Sequence, residues 1–171
     1  TMIDTLLKNK NNFIKPSFWE EYNLINNRYF VLTMHRPNNV DDLNNFKNIL
    51  KMIACSLNDL TIIFPVHPRT LKILKNIKNI PKNLICVEPQ TYLEFNYLVK
   101  HSLGVITDSG GITEEATVFG VPCLTMRDST ERPETIEIGT NYLVGSNPDN
   151  IDEPIKMIIS NGWKKGSIPK K

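Results

Sequence analysis

The chain has 171 residues and a net charge of +2, from 20 Lys and Arg against 18 Asp and Glu. That length fits one domain spanning residues 1–171, and basic side chains dispersed among acidic ones argue against a nucleic-acid groove. No apolar run approaches the roughly 20 residues of a membrane span, and the N-terminus lacks the order of a secretory signal, so a cytoplasmic location is expected.

In chain order, residues 1–10 form an amphipathic start with no strand before it. Residues 29–33 (Tyr-Phe-Val-Leu-Thr) read as the first strand. Leu43, Phe46, Ile49, Leu50 and Ile53 then recur at helical spacing, with Asp41 and Asp42 placed to cap the start. A strand at 61–64 follows, and Pro68 opens a helix whose apolar positions include Leu71 and Leu74. Pro81 marks the next turn, and residues 84–87 form a third strand. Tyr92, Phe95 and Val99 support another helix. A strand at 104–107, a helix at 112–119 stopped by Gly120, and a strand at 122–126 complete the series. Trp163 to Lys171 is polar and not expected to be ordered unless something holds it.

The strands are unbroken apolar runs, as expected where both faces are covered, so the alternation predicts an α/β fold: a Rossmann-like open parallel sheet with helices on both faces. Ligands of such sheets bind beyond the carboxyl ends of the strands. Cys55, Cys86 and Cys123 each sit in an apolar run without metal-ligand or disulfide spacing. They read as small buried hydrophobes in a reducing compartment.

Four loops at that predicted edge carry chemistry. In Thr107-Asp108-Ser109-Gly110-Gly111-Ile112-Thr113-Glu114-Glu115 a buried strand runs through two glycines directly into a helix. The first amides of that helix are free donors at the positive end of its dipole, an arrangement suited to a diphosphate. Ser109 adds a hydroxyl, and Glu115 can accept from ribose hydroxyls. The alternative is a plain Ser cap with a tight turn, and the Gly-Lys-Ser/Thr ending of a P-loop is missing. The loop 126–134 (Met-Arg-Asp-Ser-Thr-Glu-Arg-Pro-Glu) crowds charges after a strand, with Arg127 and Arg132 suited to phosphate; a solvated charged turn before a helix begun by Pro133 is the alternative. Thr33-Met34-His35-Arg36 and Pro65-Val66-His67-Pro68-Arg69 place two His–Arg pairings at successive strand ends. His101, at a helix end, reads as a capping or surface residue. No Asp/His cluster has metal-ligand spacing, so neither a metal nor another cofactor is expected.

Together these loops resemble the C-terminal domain of the non-hydrolysing UDP-N-acetylglucosamine 2-epimerases. The likeness is closest in residues 108–116, continues through Gly120-Val121-Pro122 and residues 127–134, and extends from Thr1 to about Pro169. It implies half of a two-domain glycosyltransferase-B-like enzyme that interconverts UDP-GlcNAc and UDP-ManNAc by eliminating UDP across C1–C2 and adding it back. By position, Ser109, Gly110 and Gly111 would hold the diphosphate, with Arg132 and Arg127 beside it. Glu115 would bind the ribose, and Phe95 would lie against the uracil. His35 would be the catalytic residue of this half. As in some members of that family, Arg36 and His67 would also contact a second, allosteric UDP-GlcNAc in the interdomain cleft. The implied partners are UDP-GlcNAc or UDP and the N-terminal epimerase domain, with a homodimer also allowed; no nucleic acid or membrane partner is implied.

Two substitutions depart from the family pattern. Asn38 stands where the His-Arg-x-Glu-Asn motif has Glu, removing a charge near His35, and Thr113 replaces a Gln. The N-terminal domain with the acidic residues assigned to proton transfer, and the last helix that packs across it, are expected to be missing. The chain alone is then expected to bind without turnover, since proton abstraction at C2 needs a base on a defined sugar face. A stand-alone UDP-sugar-binding module is the alternative reading. A retaining glycosyltransferase is disfavoured because the basic pair and Glu of those enzymes have other spacings.

Overall fold

The computed structural model describes residues 2–34, 36, 41–128, 136, 139–145, 147–160 and 163. Six strands form one sheet: β1 (Tyr29–Thr33), β2 (Thr61–Pro65), β3 (Leu84–Val87), β4 (Gly104–Thr107), β5 (Cys123–Thr125) and β6 (Asn141–Leu143). All neighbours are parallel, and the order is β3-β2-β1-β4-β5-β6. This is the Rossmann-like sheet expected from the apolar runs. The order reverses between β1 and β4, and that seam is where such sheets open a crevice.

The helices among the described residues are α1 (Met2–Asn9), α2 (Leu43–Leu57), α3 (Pro68–Leu74), α4 (Tyr92–His101), α5 (Gly110–Phe119) and α6 (Asp152–Ile159), the last preceded by a 3-10 turn (Pro148–Ile151). Local signals set their limits. Asp42 caps α2 through the Asn45 amide at 3.1 Å, and Pro68 occupies the first turn of α3. Thr91 caps α4: its hydroxyl oxygen accepts from the Glu94 amide at 3.3 Å and its hydroxyl donates to the Glu94 carboxylate at 2.9 Å. Gly120 ends α5 in the left-handed region at φ 67°, a conformation that penalises residues with a Cβ.

Successive residues of each strand feed opposite faces. Phe30, Leu32, Ile62, Phe64, Ile106 and Leu124 pack against the apolar stripes of α2 and α6. Tyr29, Val31, Ile63, Val105 and Cys123 pack beneath α4 and α5. That second face is extended by the N-terminal segment: Leu6 of α1 is buried, and α1 lies on α5. Phe18, Trp19 and Leu24 join the core there. Phe13 meets Phe119 edge-on at 5.6 Å. The amphipathic start read from the sequence is thus a docked helix.

Several expectations need correction. Cys55 is exposed and Cys86 half-buried; only Cys123 is buried. Helix α2 buries Phe46, Ile49, Leu50, Ile53, Ala54 and Leu57, a stripe of spacing three and four that leaves Cys55 on the solvent side. Leu71 of α3 is likewise exposed, while Leu74 is buried. His101 ends α4 half-buried against Tyr97 at 4.4 Å, beside Trp19, instead of capping a helix. Trp163, read as part of a loose tail, is docked: its indole N–H donates to the Thr140 carbonyl at 2.8 Å, and its ring meets Tyr142. Residues 164–171 lie outside the described residues, as does the helix expected at Pro133. Strand β6 and helix α6 were not read from the sequence at all.

Candidate functional site

Register aligns the strand ends at one edge. Thr33 of β1 pairs with Thr107 of β4, and Thr107 with Thr125 of β5. The predicted Ser-Gly-Gly turn leaves this row at its centre and enters α5. Ser109 occupies the N-cap with extended backbone (φ −101°, ψ 126°), yet its side chain makes no capping hydrogen bond. Its hydroxyl is therefore uncommitted at the helix end where dipole and unsatisfied amides favour an anion. Ser109, Gly110 and Gly111 are all partly exposed.

The turn itself is laced to β1. The Thr33 and Thr107 hydroxyls share a hydrogen bond at 2.6 Å, and the Ser109 amide donates to Thr107 Oγ1 at 2.9 Å. Asp108 is fully buried. One of its carboxylate oxygens accepts from the Arg36 backbone N–H at 2.9 Å, while Arg36 Nε donates to the Asp108 carbonyl at 2.9 Å. Sequence reasoning quoted Asp108, Thr33 and Thr107 only as parts of motifs. Their role as a scaffold had one legible signal, hydroxyl residues ending two strands.

Glu115 lies one turn into α5 and is 5% exposed. Burial, with a smaller push from Glu114, raises its carboxyl to about 7. No other described residue donates a hydrogen bond to it, so its ionised form has no partner to offset desolvation. Tyr92, at the start of α4, feels that carboxylate: burial and the Glu115 charge raise its phenol. Phe95 follows one turn later on the same helix, half-buried against the second core face. Arg127 is half-buried two residues beyond Thr125, on the same edge as Ser109.

The remaining predicted residues are distributed as follows. Arg36 stands beside the turn. His67 caps α3, its Nδ1 accepting from the Arg69 amide at 3.2 Å, and Arg69 is tied to Asp41 at 2.9 Å. His35, Asn38 and Arg132 lie outside the described residues. Among the described residues no group of three or more His, Cys, Asp or Glu comes together as a metal centre, and no helix is long and apolar enough to cross a membrane.

A family model of UDP-N-acetylglucosamine 2-epimerase matches residues 1–169. The chain belongs to the UDP-N-acetylglucosamine 2-epimerase family. It is 39% identical over 178 residues to the enzyme of that name from Methanocaldococcus jannaschii, covering 96% of this chain and 48% of the relative. The corresponding protein of Methanococcus maripaludis is 46% identical over 148 residues, covering 80% of this chain and 39% of the relative. A crystal structure of the Methanocaldococcus jannaschii enzyme in complex with UDP-GlcNAc and UDP superimposes with a TM-score of 0.79 at 38% identity, covering 99% of this chain and 49% of that one. The chain thus spans about half the length of the curated relatives it matches.

Proposed function

We propose that this chain is the UDP-binding half of a non-hydrolysing UDP-N-acetylglucosamine 2-epimerase, which interconverts UDP-GlcNAc and UDP-ManNAc. The observation that carries the proposal is the entry to α5: a helix N-terminus on two glycines, with an uncommitted Ser109 hydroxyl, at the strand-order reversal. Ser109 and the amides of Gly110 and Gly111 receive the diphosphate, with Arg127 and Arg132 adding positive charge. Glu115 takes the ribose hydroxyls, and Phe95 lies against the uracil. Membership of a family that includes a structure with UDP-GlcNAc and UDP bound supports these assignments.

The chemistry asked of the cradle follows from its charge. As the C1–O bond breaks, negative charge grows on the departing β-phosphate, and fixed amide dipoles stabilise it without reorganising at that moment. Arg36 and His67 are proposed to face a second UDP-sugar in the cleft, and His35 to act at the sugar. Proton removal at C2 is assigned to acidic groups in the other half of the longer relatives, so the chain alone binds without turnover. A cytoplasmic site of action, where nucleotide sugars are used, accompanies this reading.

Calorimetric titration with UDP, using UMP and ADP as controls, tests it. Saturable binding that prefers UDP is expected. Equal affinity for ADP, or no UDP binding by a chain shown to be folded, refutes the assignment.

A further inference from the structure

We propose that Asp108 and Arg36 form a reciprocal clamp that sets the direction of the diphosphate-binding amides, making Asp108 a positioning residue. The proposal rests on the UDP reading above for its consequence and on the local geometry for its existence. The two residues are 72 apart in sequence and are joined twice, in opposite senses. The Asp108 carboxylate takes the Arg36 main-chain N–H at 2.9 Å, and the Arg36 side chain returns Nε–H to the Asp108 main-chain carbonyl at 2.9 Å.

The second bond matters because of where that carbonyl sits. The Asp108 C=O and the Ser109 N–H belong to one rigid peptide plane. Arg36 holds its oxygen end, and Thr107 Oγ1 holds its hydrogen end at 2.9 Å. With both ends pinned, the plane has a single orientation, and it leads directly into the Ser109–Gly110 peptide that opens the helix. The amides of Gly110 and Gly111 inherit their direction from it. Two glycines in series make that inheritance necessary, because glycine itself restrains its backbone weakly. Thr107 is in turn held by Thr33, and the Asp108 amide donates to the Thr33 carbonyl at 3.3 Å. The clamp is therefore referred to β1 at the centre of the sheet.

Burial argues that Asp108 is present for this purpose. A carboxylate with no exposure is costly in a turn where a small neutral residue would fit the chain path. What it provides there includes an acceptor for a main-chain donor that would otherwise lack one. Arg36, for its part, uses Nε and its own amide for the clamp, and no described residue engages its terminal nitrogens. Lysine cannot substitute for it, since an ammonium lacks the planar Nε–H that meets the carbonyl.

The test uses Asp108→Ala, Asp108→Asn, Arg36→Lys and Ser109→Ala in the full chain. UDP and UMP affinities are read by calorimetry, and amide hydrogen exchange of Ser109 is followed without ligand. Asp108→Ala and Arg36→Lys are each expected to weaken UDP binding about tenfold while changing UMP binding less than about threefold; Asp108→Asn, which keeps the acceptor oxygen, restores most of the loss. Ser109 exchange should accelerate in both clamp-breaking variants, although its own acceptor on Thr107 is untouched. A fold that is merely weakened would lower UDP and UMP binding together and would not be rescued by Asn. If Ser109→Ala weakens UDP binding while Asp108→Ala and Arg36→Lys leave it unchanged, the clamp is wrong and the cradle stands. If the parent chain shows no preference for UDP, the nucleotide reading fails and Ser109 exchange alone decides the clamp. Should Asp108→Ala fail to fold, Arg36→Lys decides: parent-like UDP binding and exchange overturn the proposal.

Discussion

Glu115→Gln isolates one buried charge. In the folded chain the Glu115 carboxyl is raised from 4.5 to about 7, first by burial and then by Glu114. Between those values the native state holds a proton that the unfolded chain has released, so stability falls as pH rises. The contribution is fully present below about 4.5 and is lost as pH passes through about 7. At about 1.36 kcal/mol per pH unit, the interval corresponds to roughly 3 kcal/mol. Gln keeps the shape and removes the titration. Urea unfolding of both proteins across the range from about pH 4 to about pH 8 gives the stability of variant minus parent at each pH. Taking the difference cancels other groups such as the His101 imidazole, which burial and the nearby Lys100 and Lys15 hold below its ordinary value. The difference should grow by roughly 3 kcal/mol in favour of Gln as pH rises. Growth of under about 1 kcal/mol would show that Glu115 ionises freely in the native state and would refute the argument from burial.

Further outcomes are expected. With UDP-GlcNAc, whose diphosphate does not titrate near neutrality, binding should strengthen as pH rises through about 7 in the parent, because ribose hydroxyls favour the ionised carboxylate; the Gln variant should show no such slope. Ser109→Ala should weaken UDP binding by about 1 kcal/mol, one hydrogen bond, in calorimetry. Its melting temperature should stay unchanged, because the side chain makes no cap bond. Gly104→Ala should destabilise the chain by about 1–3 kcal/mol in urea melts, since a Cβ there would come within 2.6 Å of the buried Phe30 ring. Parent-like stability would show that the ring yields. Arg132→Ala should weaken UDP binding by roughly 1.5–3 kcal/mol if the guanidinium pairs with phosphate, and a negligible loss would remove Arg132 from the site.

The legible parts of the fold were those where one physical rule acts alone. A strand covered on both faces must be apolar throughout, so β1, β2 and β4 stand out as runs. Gly120 marks a left-handed turn that other residues adopt poorly. By contrast, β6 has three residues at the sheet's edge with Tyr142 turned to solvent, and so leaves no run to read. Cys55 misled because neighbours in an apolar segment share hydrophobicity without sharing a helix face. At the candidate site, the Ser-Gly-Gly entry to α5 was readable because an apolar run leading through two glycines into helical spacing marks a tight strand-to-helix turn. The Asp108–Arg36 pairing was not, since it depends on β1 and β4 lying side by side, and the sequence holds their loops 72 residues apart. The neighbourhood of Tyr92 and Glu115 likewise exists only once α4 and α5 are packed together.

The parallel sheet also dictates how the chain must assemble. No two neighbouring strands are joined by a hairpin, and the central pair meets across 74 residues, from Thr33 to Thr107. Pairings of such long range close slowly, because the entropy of the intervening loop is lost before any contact repays it. A chain emerging from the ribosome amino end first can assemble β1, β2 and β3 while β4 is still unmade. Through that interval β1, apolar on both faces, is a bare edge open to strands of other molecules. Slower synthesis through β4 should therefore lower the soluble yield, and chains halted before β4 should be the aggregating species.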